Sequence, residues 1–89
     1  MTIHRGTEFK EKVNVRSDGI KVLSIRFCEG NKVVLSKGVE GAAFEDGKLV
    51  VTITAEETLK FTANAKVTMH LSVMLANGTF SLVRAGCVQ

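Results

Sequence analysis

The stretch Lys66–Leu75, KVTMHLSVML, alternates over its whole length. Val67, Met69, Leu71, Val73 and Leu75 fall on one side, and Thr68, His70, Ser72 and Met74 on the other. Only an extended chain, whose side chains repeat every two residues, collects those apolar groups on one face; a helix would scatter them. One oily face and one wet face is the pattern of an antiparallel sheet covered on a single side. The same period recurs upstream. KLVVTIT sets Leu49, Val51 and Ile53 against Val50, Thr52 and Thr54. VLSIRF groups Leu23, Ile25 and Phe27, KVVLS groups Val33 and Leu35, and EFKEKVNV groups Phe9, Val13 and Val15. These runs are rich in β-branched residues, which suit a pleated surface.

Between the runs stand residues that turn a chain. Ser17–Gly19 and Glu29–Asn31 separate the first strands, Glu45–Gly47 precedes the fifth, and Asn77-Gly78 joins the last two. Asn-Gly and Asp-Gly supply the positive φ angles of tight hairpins. The spacing predicts an all-β fold: a small antiparallel, immunoglobulin-like β-sandwich of six to seven strands, with an open barrel as the alternative. Residues 1–89 form a single domain, without internal repeat, linker or low-complexity segment.

The regular period breaks at TITAEETLKF, Thr52–Phe61. Thr54, Ala55, Glu56 and Glu57 match a capping box, in which Thr54 accepts from the amide of Glu57 and the glutamate reaches back. One short helical turn near residues 55–60 follows, with Leu59 and Phe61 expected to turn inward. Asn64, in ANA, is placed to adopt a left-handed conformation before the long strand. Adjacent carboxylates on a helical turn diverge, so Glu56 and Glu57 do not make an acid/base pair across one bond. The acidic corner reads as a crossover between sheets.

A chain of 89 residues buries roughly 60–65% of the surface its unfolded form exposes, which leaves a thin margin of stability. At 45% hydrophobic and 24% charged it is a globular composition. No run approaches the length of a membrane span, and the charged start MTIHRGTEFKEK lacks the apolar segment of a secretion signal. A soluble chain without a leader is expected. The net charge of +3 comes from Met1–Phe44, which holds eight Lys/Arg against five Asp/Glu, whereas the remainder holds four of each. Lys10, Lys12, Arg16, Lys21, Arg26, Lys32 and Lys37 are spread among several elements with acids between them. That is the pattern of solvated strand faces, and it argues against a nucleic-acid partner.

Neither catalytic, cofactor-binding nor metal-ligating residues stand out. His4 lies near a terminus and His70 on the wet side of a strand, and neither sits in a local signature with Cys28 or Cys87. Two histidines and two cysteines, all isolated, do not supply the ligand pattern of a metal site. EGNKVVLSKG lacks the order of a phosphate-cradling loop. Two cysteines cannot make a disulfide framework; they read as buried or half-buried thiols, bridged only if their strands lie side by side. Tyr and Trp are absent, and of five Phe, Phe27, Phe61 and Phe80 read as structural. The chain thus lacks the aromatic platforms of glycan and single-strand nucleic-acid readers. Contacts with other proteins would use strand edges, which lack any proline guard, or the outward apolar residues Val50 and Met74.

The order of these segments resembles the small β-sandwich modules of tailed-phage and prophage structural proteins, of which the N-terminal domain of baseplate upper proteins is the type. The matching positions are Arg5, Gly6, Thr7 and Phe9 in the first strand, and Ile53, Thr54, Glu56, Glu57, Thr58 and Leu59 at the corner. Asn77 and Gly78 match at the last turn. The resemblance covers nearly the full chain, with departures where ANAKV replaces a Gly-aromatic entry and where the second strand lacks a Leu-Thr-Gly-Ala lead-in. It implies a non-enzymatic virion assembly module without cofactor or small-molecule substrate. Its partners would be other virion or tail proteins or copies of itself, in the virion or in the host cytoplasm during assembly. The alternative is an extracellular or surface adhesion domain of immunoglobulin type.

Overall fold

The computed structural model describes residues 1–14, 21–75 and 78–89. Its strands are β1 (Thr2–Ile3), β2 (Phe9–Asn14), β3 (Lys21–Glu29), β4 (Lys32–Lys37), β5 (Ala42–Glu45), β6 (Lys48–Ile53), β7 (Lys66–Leu75) and β8 (Gly78–Val88). A 3₁₀ turn, Val39–Gly41, leads into β5, and one turn of helix, α1 (Ala55–Thr58), separates β6 from β7. The strands form a five-stranded sheet of order β1-β8-β7-β3-β4 and a three-stranded sheet of order β2-β6-β5. The fold is all-β.

The alternating residues of β7 hold this architecture together. Val67, Met69, Leu71 and Val73 are almost fully buried, as are Leu49, Val51 and Ile53 of β6. With Phe9, Val13, Ile25, Phe27 and Phe61 they make one cluster fed by both sheets. Phe27 of the large sheet sits at its centre, edge-on to Phe9 of the small sheet at 6.4 Å and to Phe61 at 5.9 Å. Such T-shaped pairs add about 0.5–1.5 kcal/mol each beyond the area they bury.

Turn chemistry accounts for two of the hairpins. Asp46 and Gly47, with φ of 50° and 76°, form the two-residue loop between Glu45 and Lys48, and both central residues at positive φ define the turn that matches strand twist. Gly30, at φ 60°, opens the loop between Glu29 and Lys32. The turns expected at Ser17–Gly19 and at Asn77 lie outside the described residues, as do Val15 and the side chains of Leu23 and Leu75.

The strand count and pairing differ from expectation. There are eight strands among the described residues rather than six to seven, and the large sheet is mixed, because β1 runs parallel to β8. A two-residue strand carries no period, and Ala42-Ala43 in β5 has no contrast to read. Two β-bulges also shift the faces. Phe27 pairs with Leu35 but Cys28 with Val33, which leaves Val34 as the extra residue; Val33 is therefore 49% exposed while Leu35 is buried. The register slips again between Val22 and Ser24, and Val22 is turned inward.

Candidate functional site

The acidic corner is built as its sequence implies. The Glu57 amide donates to Thr54 Oγ1 at 3.2 Å, and the Thr54 amide donates to Glu57 Oε1 at 3.0 Å. Asn64 follows at φ 66°. Phe61 plugs the end of the core as expected, but Leu59 is 51% exposed. Thr58 takes the inward position instead. Fully buried, its hydroxyl donates to the Ala55 carbonyl at 2.7 Å and accepts from the Gly6 amide at 2.9 Å. Consecutive residues on a helical turn diverge, so 58 and 59 cannot both face inward, and a hydroxyl with two partners loses less on burial than an unpaired polar group.

Glu57 also meets Lys37 Nζ at 2.6 Å, and that nitrogen donates to the Thr52 carbonyl at 3.4 Å. Lys37 thus reaches from β4 of the large sheet to β6 of the small one. It holds the Glu57 carboxyl below its ordinary range, burial pulling the other way and the Thr54 amide adding to the lysine. At the opposite side of the molecule Arg84 of β8 does the equivalent. Its Nη1 donates to the Lys12 carbonyl at 3.1 Å and lies 3.4 Å from Glu11 Oε1, both on β2. Glu11 shares its face with Phe9 and Val13, so a carboxylate alternates with core residues. The period alone does not reveal it as one half of a clasp.

The outer face of the large sheet is small and weakly charged. Ser24, Ser72 and Ser81 form one row across β3, β7 and β8; Arg26, His70 and Val83 form the next; Cys28, Thr68 and Ala85 a third. His70 is half-buried in its row, and His4 is exposed near the N-terminus. Cys28 and Cys87 are free, one half-buried and one exposed. Strand β7 stands between theirs, so the side-by-side placement that a bridge requires is not met. Among the described residues no cluster of three or more His, Cys, Asp or Glu is arranged to hold a metal ion, and no helix is long and apolar enough to cross a membrane. The cations are distributed over both sheets; Arg16 lies outside the described residues.

One of the two outward apolar residues expected to make contacts is buried. Met74 is 45% exposed, but Val50 is only 3% exposed, lying across from Lys12 and Ala43 on its two neighbouring strands. Phe80 is 42% exposed rather than structural. It lies opposite the inward Val73, on a β8 whose inner side is left partly uncovered by the three-stranded sheet. Val83, three residues on and on the opposite, outer face, is 61% exposed.

The strand edges are unequally guarded. The outer edge of β4 carries Lys32, with Lys37 turned across to Glu57, and that of β2 carries Lys10 and Lys12, the carbonyl of the latter occupied by Arg84. The β5 edge is four residues long and ends in Glu45. On β8, β1 covers only Cys87 and Val88. The rest, GTFSLVRAG, has one charged side chain, and that is Arg84, held by β2. Unpaired backbone on a long edge without lysine, proline or outward charge is poised for pairing with another strand. Comparison with protein-family models, curated proteins and solved structures finds no match to the chain.

Proposed function

We propose that this chain is a non-enzymatic assembly module of a phage or prophage particle, working through protein–protein contacts at a strand edge. The observation that carries the reading is the β8 edge, long, almost uncharged and flanked by exposed Phe80, Val83 and Met74. Strand addition to such an edge uses backbone hydrogen bonds for affinity and neighbouring side chains for selectivity.

Two further features support it. The strand orders β2-β6-β5 and β8-β7-β3-β4 are compatible with the B-E-D and G-F-C-C′ orders of an immunoglobulin-like sandwich, and the resemblance implies a β-sandwich. The stretches that carry the resemblance also meet: Arg5 Nη2 donates to the Leu59 carbonyl at 3.4 Å, beside the Gly6–Thr58 bond. They form a structural joint, in keeping with a module whose shared residues hold shape and do no chemistry. The adhesion reading fits the same strand order, but the Cys28–Cys87 bridge that such a domain would predict is not formed.

Mass spectrometry of particles purified from an induced lysogen that carries the gene tests the proposal. Peptides of this chain should band with particles or tails at a constant copy number. Their absence from both, with the protein expressed in the same cells, would overturn it.

A further inference from the structure

We infer that β8 pairs with β8 of a second copy, antiparallel about a two-fold axis, with Thr79 opposite Ala85 and Ser81 opposite Val83. The inference rests on the edge-contact reading above and names its occupant.

The hydrogen-bond phase of β8 is fixed by its neighbours. The Cys87 amide donates to the Met1 carbonyl at 3.1 Å and the Gln89 amide to the Ile3 carbonyl at 2.8 Å, so odd-numbered residues face the β1 side. The Val88 amide donates instead to Ala65, on the β7 side. Successive residues of a strand point their backbone groups in opposite directions. Thr79, Ser81, Val83 and Ala85 therefore turn their N–H and C=O groups to the open edge, where no described residue pairs with them, while residues 80, 82, 84 and 86 serve the ladder to β7.

An antiparallel partner satisfies that edge only if odd residues oppose odd residues. Placing 79 against 85 and 81 against 83 uses all four residues of both copies and forms about eight hydrogen bonds. Sliding by one step in either direction leaves three such odd pairs instead of four. Sliding two steps toward the C-terminus sets Arg84 against Arg84, and it recruits Cys87 and Gln89, whose amides β1 already holds. In the favoured register Phe80 faces Arg84 of the partner copy, and Leu82 meets its own equivalent on the axis.

Met1 bounds the pairing. It lies against Gly86, where a Cβ would overlap the Met1 carbonyl oxygen, so the open edge ends at Ala85 and the partner copy must turn away from it before its own Thr79. Self-pairing also explains why the long open edge of β8 keeps a single charged side chain, and that one turned to β2. A repeated surface meeting itself about a two-fold puts equal residues near one another, and any outward charge near the axis would face its like.

Sedimentation equilibrium between about 1 and 300 μM, a span suited to an interface of this size, should show the 9.6 kDa chain passing to twice that mass. Val83→Pro removes an outward N–H and leaves the β7 ladder intact, since proline is tolerated on the open side of an edge strand. It should weaken association at least about tenfold with an unchanged circular dichroism spectrum. A second measurement fixes the register in a Cys28→Ser, Cys87→Ser background. Leu82→Cys places thiols on Cα atoms about 4.5 Å apart across the axis, within disulfide reach, and should form a covalent dimer under mild oxidation. Ser81→Cys should not. A chain that stays monomeric throughout, a Val83→Pro variant that associates as before, or equal cross-linking at 81 and 82 would each overturn the inference. If the chain is monomeric but Val83→Pro no longer bands with particles, self-pairing falls while the assembly reading stands.

Discussion

Thr58 shows what one side chain does for this fold. Its hydroxyl links α1 to the N-terminal segment through the Gly6 amide and closes its own turn through Ala55. Thr58→Val keeps the volume and removes both bonds, leaving the Gly6 amide without its partner. The expected cost is about 1–3 kcal/mol, read as a lower denaturant midpoint at unchanged slope. Thr58→Ser should recover most of it. The sequence places Thr58 inside a capping motif but assigns Leu59 the inward role. Hydrophobicity favours leucine, and only the path of residues 5–7 across the corner supplies the donor that makes a buried threonine the better fit.

At the scale of elements, the two sheets are clasped at opposite margins by Lys37 and Arg84. The Lys37 clasp is pH-dependent. Lys37 and the Thr54 amide favour the ionised form of Glu57, so its folded-state pKa lies below its unfolded value. The folded chain binds that proton more weakly, and the stability it contributes is present above the ordinary carboxylate range. That stability is lost as pH falls through the depressed value. Thermal unfolding from neutral toward acid pH should show this loss, and Glu57→Gln should flatten it while lowering the neutral-pH midpoint. If Glu57→Gln keeps the same acid slope, another carboxylate is responsible. Charge counting in the sequence registers Lys37 and Glu57 only as members of a dispersed set. Which lysine finds which glutamate depends on two strands of different sheets lying against each other.

Across the whole molecule, the first strand and the last are neighbours. Ile3 is fully buried, and β1 bonds to the end of β8 through Met1, Ile3 and Gln89. Chain termini ordinarily fray and tolerate change. Here Ile3→Ala should destabilise as an interior truncation does, by about 2–5 kcal/mol, whereas Thr2→Ala, exposed on the same strand, should be near neutral. Equilibrium urea unfolding of the two variants separates them, and equal small effects would show that β1 contributes nothing to the core.

The amino-acid order by itself decided the all-β class, the inward faces of β6 and β7, the Asp46-Gly47 turn and the capping box at Thr54. Each of these rests on neighbours within a few residues, where a period of two, a positive φ or a reciprocal side-chain bond can be read locally. The parallel seating of β1, the bulges that turn Val33 out and Val22 in, the burial of Thr58, the exposure of Phe80 and the Glu11–Arg84 clasp were settled only by tertiary structure. Those features are set by partners distant in the chain. A side chain's face can be inferred from its own strand, but its cover depends on how far the opposing sheet extends. Three strands packed over five leave part of β8 without it.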